Sequence, residues 1–278
     1  MTASFRFFLL LSFSCLGACR PAAYFLDEAD ILEKKGEYLK AAAAYASYLK
    51  GSPRAESACG ARVRLGRIYA LRLRRCPEAR LQFEEAARGF PRLEDCRRKA
   101  QAGIMSCPDY FPLENGLRWL YGDTLSHGKN MRLSVEAASS NPGVSARSRS
   151  KLYAGNSLIR SGSTDYEARK WEIRESRAGG KDARAVLRYP FHPGFSWTMS
   201  LPGRRLTDVI VSTSARAETA AGVFTKCLKV KEIDSRFPRS WSFRYYAPFV
   251  GKVKTTVGGP EFETPDTELL EFHGGMLQ

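Results

Sequence analysis

Four cysteines, Cys59, Cys76, Cys96 and Cys107, fall within residues 22–107 and could bind a metal, attack a substrate or cross-link. A zinc site draws on ligands two to four residues apart, and these thiols have no such spacing. The chain's 3 histidines are scattered, so no metal is expected. Cross-linking fits an oxidising compartment. Cys59 and Cys96 sit at similar heights on successive helices, and Cys76 and Cys107 lie near the ends of those helices. Of the three connectivities four cysteines allow, this favours Cys59–Cys96 with Cys76–Cys107. The alternative is buried, unpaired thiols, because a bridge needs Cα atoms within about 7 Å.

Catalytic groupings are not evident. No G-x-S-x-G nucleophile elbow occurs. His127, His192 and His273 lie in turn-like or terminal contexts. Glu261 with Glu263, and Asp266 with Glu268, stand at i, i+2 beside Gly258-Gly259-Pro260 and read as solvated edge charges. Gly179-Gly180 and Gly258-Gly259 open no helix, so they do not cradle phosphate. Trp119, Trp171, Trp197 and Trp241 read as core residues. The expectation is a protein without enzymatic activity or cofactor.

The formal net charge is +15, from 44 Lys and Arg against 29 Asp and Glu. That excess points to anionic surroundings such as lipid headgroups, cell-wall polymers or acidic proteins. Arg62, Arg64, Arg67, Arg72, Arg74 and Arg75 cluster on the third helix and the turn after it, a candidate patch for an anionic partner. The same arginines could equally lie over apolar neighbours on a solvated helix face.

The N-terminus fixes where such chemistry would take place. Arg6 is followed by an apolar run from Phe7 to Leu11, continuing through Phe13, Cys15 and Leu16. The run is too short to span a bilayer and ends in small residues, as a secretory signal does. Leu16-Gly17-Ala18-Cys19 resembles the lipobox of bacterial lipoproteins. The resemblance implies removal of residues 1–18, lipidation of Cys19 and a short anchored stretch over 19–21. Arg20, in place of Asp, then implies the outer membrane, on its periplasmic side. An exported lipoprotein is not expected to meet nucleic acid.

Residues 22–107 are rich in Ala, Leu, Arg and Glu at helical spacing. Ala41, Tyr45 and Pro53 recur as Ala79, Phe83 and Pro91. Each set places a small residue and an aromatic on one helical face, then a closing proline. Gly36-Glu37-Tyr38 and Cys76-Pro77 supply the inter-helix turns, and Leu93 to Met105 reads as a capping helix. The pattern resembles the tetratricopeptide repeat, also found in exported lipoproteins of the BamD type. It implies a surface for a protein or peptide partner in the envelope.

After Pro108 the chain turns to Trp, Tyr, Val and Thr at alternating positions. Strands are expected at Trp119–Tyr121, Met131–Ala137, Leu206–Ser212, Lys226–Ile233, Trp241–Tyr246 and Lys252–Val257, with more between Ala146 and Arg188. Pro112-x-x-x-Gly116-x-x-Trp119 recurs as Pro190-x-x-x-Gly194-x-x-Trp197, which implies two similar halves of one curved antiparallel sheet over 110–278. Tyr110-Phe111-Pro112-Leu113, Ala221-Gly222-Val223-Phe224, Tyr245-Tyr246-Ala247-Pro248 and Val250-Gly251-Lys252-Val253-Lys254 are together similar to a family of bacterial envelope domains. That resemblance implies a fold and a location but no activity. Pro108 and Pro112 leave almost no linker, so the two parts should dock with Tyr110 and Phe111 at the contact. The expected fold class is α+β: a tetratricopeptide-like helical repeat followed by a curved antiparallel sheet. Two functions fit it, a membrane-anchored scaffold acting through the helical repeat, and a carrier or sensor of a lipid or other apolar ligand in the sheet.

Overall fold

The computed structural model of the protein describes residues 21–274 except 181–182. Cys19 and the signal segment lie outside the described residues. Five helices come first: α1 (Ala22–Lys34), α2 (Tyr38–Gly51), α3 (Glu56–Arg67), α4 (Cys76–Gly89) and α5 (Glu94–Met105). Their buried faces are largely alanine, which lets neighbouring helices approach closely: Ala41, Ala44, Ala58, Ala61, Ala79, Ala86 and Ala100 are all buried. Pro77 occupies the first turn of α4, where its missing N–H costs no hydrogen bond.

These helices do not form a tetratricopeptide-like repeat, and the expected α+β class is overturned: the molecule is β-rich, with five short helices ahead of a twelve-stranded antiparallel near-barrel. The recurrence of Ala41 and Tyr45 as Ala79 and Phe83 reflects two similar apolar faces and does not extend to the units around them. α3 loosens into a π-helical turn (Ile68–Arg72) before the second inter-helix turn, which has no counterpart in the first pair. Tyr45 uses its hydroxyl to bond Asp30 at 2.6 Å and Glu33 at 2.8 Å. Phe83 instead lies flat against Gly66 of α3 and Gly103 of α5, each too close to accept a Cβ without a shift. Disulfides join Cys59 to Cys96 and Cys76 to Cys107, tying the second half of the helical segment together.

The strands are β1 (Arg118–Asp123), β2 (Met131–Asn141), β3 (Ser145–Ala154), β4 (Ser157–Arg169), β5 (Glu172–Arg177) and β6 (Ala183–Arg188), then β7 (Ser196–Leu201), β8 (Arg204–Thr219), β9 (Gly222–Asp234), β10 (Trp241–Ala247), β11 (Gly251–Gly259) and β12 (Phe262–His273). Each pairs antiparallel with the next within β1–β6 and within β7–β12, and β12 returns to pair with β1. The sheet is therefore a meander closed on one side, with β6 and β7 as its two edges.

Its two halves begin alike. Gly116 and Gly194 both take a left-handed backbone, φ +78 and +86, which a side chain would strain. The N–H of Gly116 donates to Ala137 and that of Gly194 to Ile210, each at the start of a hairpin. Trp119 and Trp197 then enter β1 and β7. Trp197 donates its indole N–H to the carbonyl of Ala185, so side chain rather than backbone bridges the β6–β7 gap.

The helices cover one end of this near-barrel. Ala102 and Met105 of α5 share a buried cluster with Tyr110, Leu113, Ile210, Val230 and Tyr246. Ile104, Phe83 and Cys107 pack against Trp171 and Tyr189, whose rings stack at 5.4 Å. Arg74 lies over the ring of Phe249 in the β10–β11 turn, 4.1 Å from its centroid. The far part of the β8–β9 hairpin folds over the outside of the sheet, where Ala217 and Cys227 join the cluster of Tyr245 and Val253.

Candidate functional site

The two halves of the near-barrel fill their interior differently. On the side of β6–β10, Trp197, Ile210, Leu228, Val230 and Val186 pack solidly. On the side of β1–β4 the chain supplies shorter inward side chains, Ala137, Ala146, Ser148, Ser150 and Thr164, and a cavity of about 290 Å³ remains. Trp119, Tyr121, Leu133 and Val135 give it an apolar wall, Phe111, Pro112 and Leu113 close it toward the helices, and Tyr166 and Tyr246 line it further. The short Pro-rich join thus acts as a plug as well as a connection. Tyr110 is fixed there by its hydroxyl, which donates to the carbonyl of Lys226 at 3.1 Å.

The opposite wall is charged. Glu175, Arg184, Arg244, Lys252 and Arg160 face the cavity. A chain of ion pairs runs behind it: Asp208 with Arg244, Arg244 with Glu232 at 3.4 Å, Glu232 with Arg184 at 3.7 Å, and Arg184 with Glu175. These residues come from β8, β10, β9, β6 and β5, so the chain crosses from one sheet edge to the other. Asp208 is fully buried and the Arg244 side chain is 11 % exposed. Burial pushes the Asp208 carboxyl up to about 6 despite the adjacent guanidinium. Asp208 Oδ2 and Arg244 Nε are buried without a hydrogen-bond partner.

Lys252 is placed differently. Its ammonium lies over the Tyr121 ring, 5.2 Å from the centroid, and no carboxylate pairs with it among the described residues. Burial, and then the neighbouring Arg244, pull its pKa down. Arg160, on β4 opposite Leu152, is exposed toward the end of the barrel away from the helices.

Sequence reasoning did not single out Asp208, Glu232, Arg244, Lys252, Glu175, Arg184 or Arg160. A signal was present for some. Asp208 stands two residues from both Leu206 and Ile210, in the inward phase of an alternating strand, and Arg244 interrupts an aromatic run at Phe243 and Tyr245.

The arginines expected to cluster are spread over separate neighbours. Arg62 pairs with Glu85 on α4, and Arg64 with Asp30 on α1. Arg67 lines a small cleft with Lys99, Asp109 and Glu114. Arg72 lies over Tyr38, Arg74 over Phe249, and Arg75 over Tyr69 while pairing with Glu78. Of the carboxylates read as solvated edge charges, Glu261 and Asp266 are exposed as expected, while Glu263 and Glu268 are engaged. Glu268 is buried, accepting from Ala220 N–H at 2.9 Å and lying 3.0 Å from His127 Nδ1. Glu263 accepts from Tyr245 and Thr256, both at 2.6 Å, and pairs with Lys229. Each ties strands or turns together, Glu268 because the β8–β9 hairpin folds over the outer face of the sheet there. Among the described residues no cluster of His, Cys, Asp and Glu could hold a metal ion.

No protein-family model matches the sequence, and no curated protein matches it. Two solved structures are similar in part. One is of a protein described as exported, with a YmcC-like fold, from Bacteroides fragilis; it is 15 % identical, with a TM-score of 0.42. The other is of a protein described as a lipoprotein from Parabacteroides distasonis, 15 % identical with a TM-score of 0.40. Each match covers 59 % of this chain and 98 % of the other.

Proposed function

We propose that this chain is a non-enzymatic lipoprotein of the cell envelope that carries or senses a small, largely apolar ligand inside its near-barrel. The cavity of about 290 Å³ carries this reading. Protein interiors are close-packed, so a space of that size left open inside the near-barrel is out of the ordinary. Here the void adjoins a solidly packed half and is walled by Trp119, Tyr121, Leu133 and Val135, the composition of a ligand pocket. A scaffold role through a helical repeat has no support, because the helices do not form one and α5 is committed to the near-barrel.

The envelope location rests on the N-terminal signal and Cys19, with Arg20 favouring the outer membrane. The two disulfides suit an oxidising compartment. Cys19→Ala should release the protein from membranes and abolish acyl labelling; membrane retention without an acyl chain would contradict the anchor. For the cavity, the test is titration of delipidated protein with the apolar dye N-phenyl-1-naphthylamine. Saturable binding at one site, lost when Val135→Trp fills the space, is the expected result. Binding that ignores this substitution, or no binding at all, would remove the carrier reading.

A further inference from the structure

The cavity that the carrier reading rests on is not electrically neutral. Among its lining residues, Arg160, Arg184, Arg244 and Lys252 oppose a single carboxylate, Glu175. Glu175 is already taken by Arg184, and Arg244 is shared between Asp208 and Glu232. Among the described residues no carboxylate lies within ion-pair distance of Lys252 or Arg160, and Glu175 and Asp266 act on Lys252 only from farther away. Lys252 is half-buried, and an ammonium with part of its water removed costs free energy that an opposite charge recovers.

The geometry sorts the cavity into two poles. Trp119, Tyr121, Leu133 and Val135 come from adjacent strands β1 and β2 and form a continuous apolar face. Lys252 lies on β11, paired with Tyr246 of β10, two residues from Arg244. Leu158, two residues nearer the β3–β4 turn than Arg160, is exposed.

We propose that the ligand is an amphipathic oxyanion, a carboxylate or phosphate monoester on an apolar chain. Its head lies between Lys252 and Arg160 beside Arg244, and its body lies along Trp119, Tyr121, Leu133 and Val135. At roughly 30 Å³ per water-sized group, the space holds about ten chain atoms. Longer chains extend past Leu158 to the rim. The ligand's charge completes the set of cations that the protein leaves uncompensated, and the apolar wall supplies affinity without dictating which chain is bound.

Displacement of N-phenyl-1-naphthylamine by decanoate, decyl phosphate and decanol tests this. An anion should displace the dye at a concentration at least tenfold lower than decanol. The stronger of decanoate and decyl phosphate identifies the head, a free fatty acid or a phosphate ester, and either supports the inference. Lys252→Met should erase most of the tenfold preference without lowering the melting temperature, and Lys252→Arg should restore the preference. Equal displacement by decanol and the anions would overturn the oxyanion inference and leave the carrier reading standing. A preference that survives Lys252→Met together with Arg160→Met would overturn the assignment of these residues. Failure of the dye to bind wild-type protein removes both readings.

Discussion

The indole N–H of Trp197 on β7 donates to the carbonyl of Ala185 on β6 at 3.4 Å, joining the two edges that the backbone ladder leaves apart. Its counterpart in the first half, Trp119, donates to Val250 at 2.6 Å across a part of the sheet that is already paired. The same motif thus reinforces a closed region once and bridges an open one once. Inside the barrel, Arg184 of β6 and Glu232 of β9 approach to 3.7 Å and span the same gap. An unpaired edge invites pairing with other chains, so these contacts also protect the molecule.

Trp197 is nearly fully buried, and Trp197→Ala should lower unfolding stability by about 3–5 kcal/mol. Trp197→Phe keeps most of the packing and loses the hydrogen bond, costing about 1 kcal/mol. Urea titration measures both, and light scattering should show association only in the alanine variant. An alanine variant as stable and monomeric as wild type would show that the gap needs no bridge.

Arg244 holds two carboxylates, Asp208 and Glu232, at the centre of the charged wall. Arg244→Met strands both and should cost about 3–5 kcal/mol, as breaking a buried pair from one side does. Adding Asp208→Asn should recover part of that loss. Equal urea midpoints for the single and double variants would rule out this coupling.

Burial pushes Asp109 up to about 7, with Glu114 adding repulsion, and pushes Asp208 up to about 6. Both folded-state values exceed the ordinary carboxylate value, so the folded protein binds more protons than the unfolded chain between about pH 4 and 7. The stability these groups contribute is complete at the acid end and is lost as pH rises through 6 and 7. Asp109→Asn keeps an oxygen for the Phe111 N–H, which Asp109 Oδ1 accepts at 2.9 Å. It should match wild type near pH 4 and exceed it at pH 8 by about 1–3 kcal/mol. Parallel stability profiles for the two proteins would contradict the shift.

Phe83 is held between Gly66 and Gly103, and a Cβ at Gly103 would come within 2.4 Å of its ring. Gly103→Ala should cost about 1–3 kcal/mol by overpacking. Phe83→Leu, made in that background, should return part of the loss. A neutral Gly103→Ala would mean that the three helices can spread apart freely.

Much of the architecture was legible from local patterns. Period-two alternation marked six strands, and the paired loops ending at Trp119 and Trp197 marked two similar halves, because strand phase and glycine turns are written within a few residues. The helices were legible for the same reason, and that same locality misled. Ala41/Tyr45 and Ala79/Phe83 describe one face of one helix each, whereas a repeat depends on how whole units stack. Nothing local announces that α3 loosens into a π-helical turn or that α5 turns to the near-barrel.

The candidate site was decided by tertiary structure. Asp208, Glu232, Arg244, Arg184 and Glu175 are dispersed along the chain and meet only because the meander curls until its edges approach. In sequence, Lys252 is one basic residue among 44 Lys and Arg. Its distinction is that the strand phase turns it inward to line the cavity, with no carboxylate in ion-pair distance among the described residues. Sequence alone determined the elements and the positive charge, since each depends on residue type and near neighbours. Closure of the sheet alone determined which charges lie against an empty space, since burial and pairing depend on residues far apart in the chain.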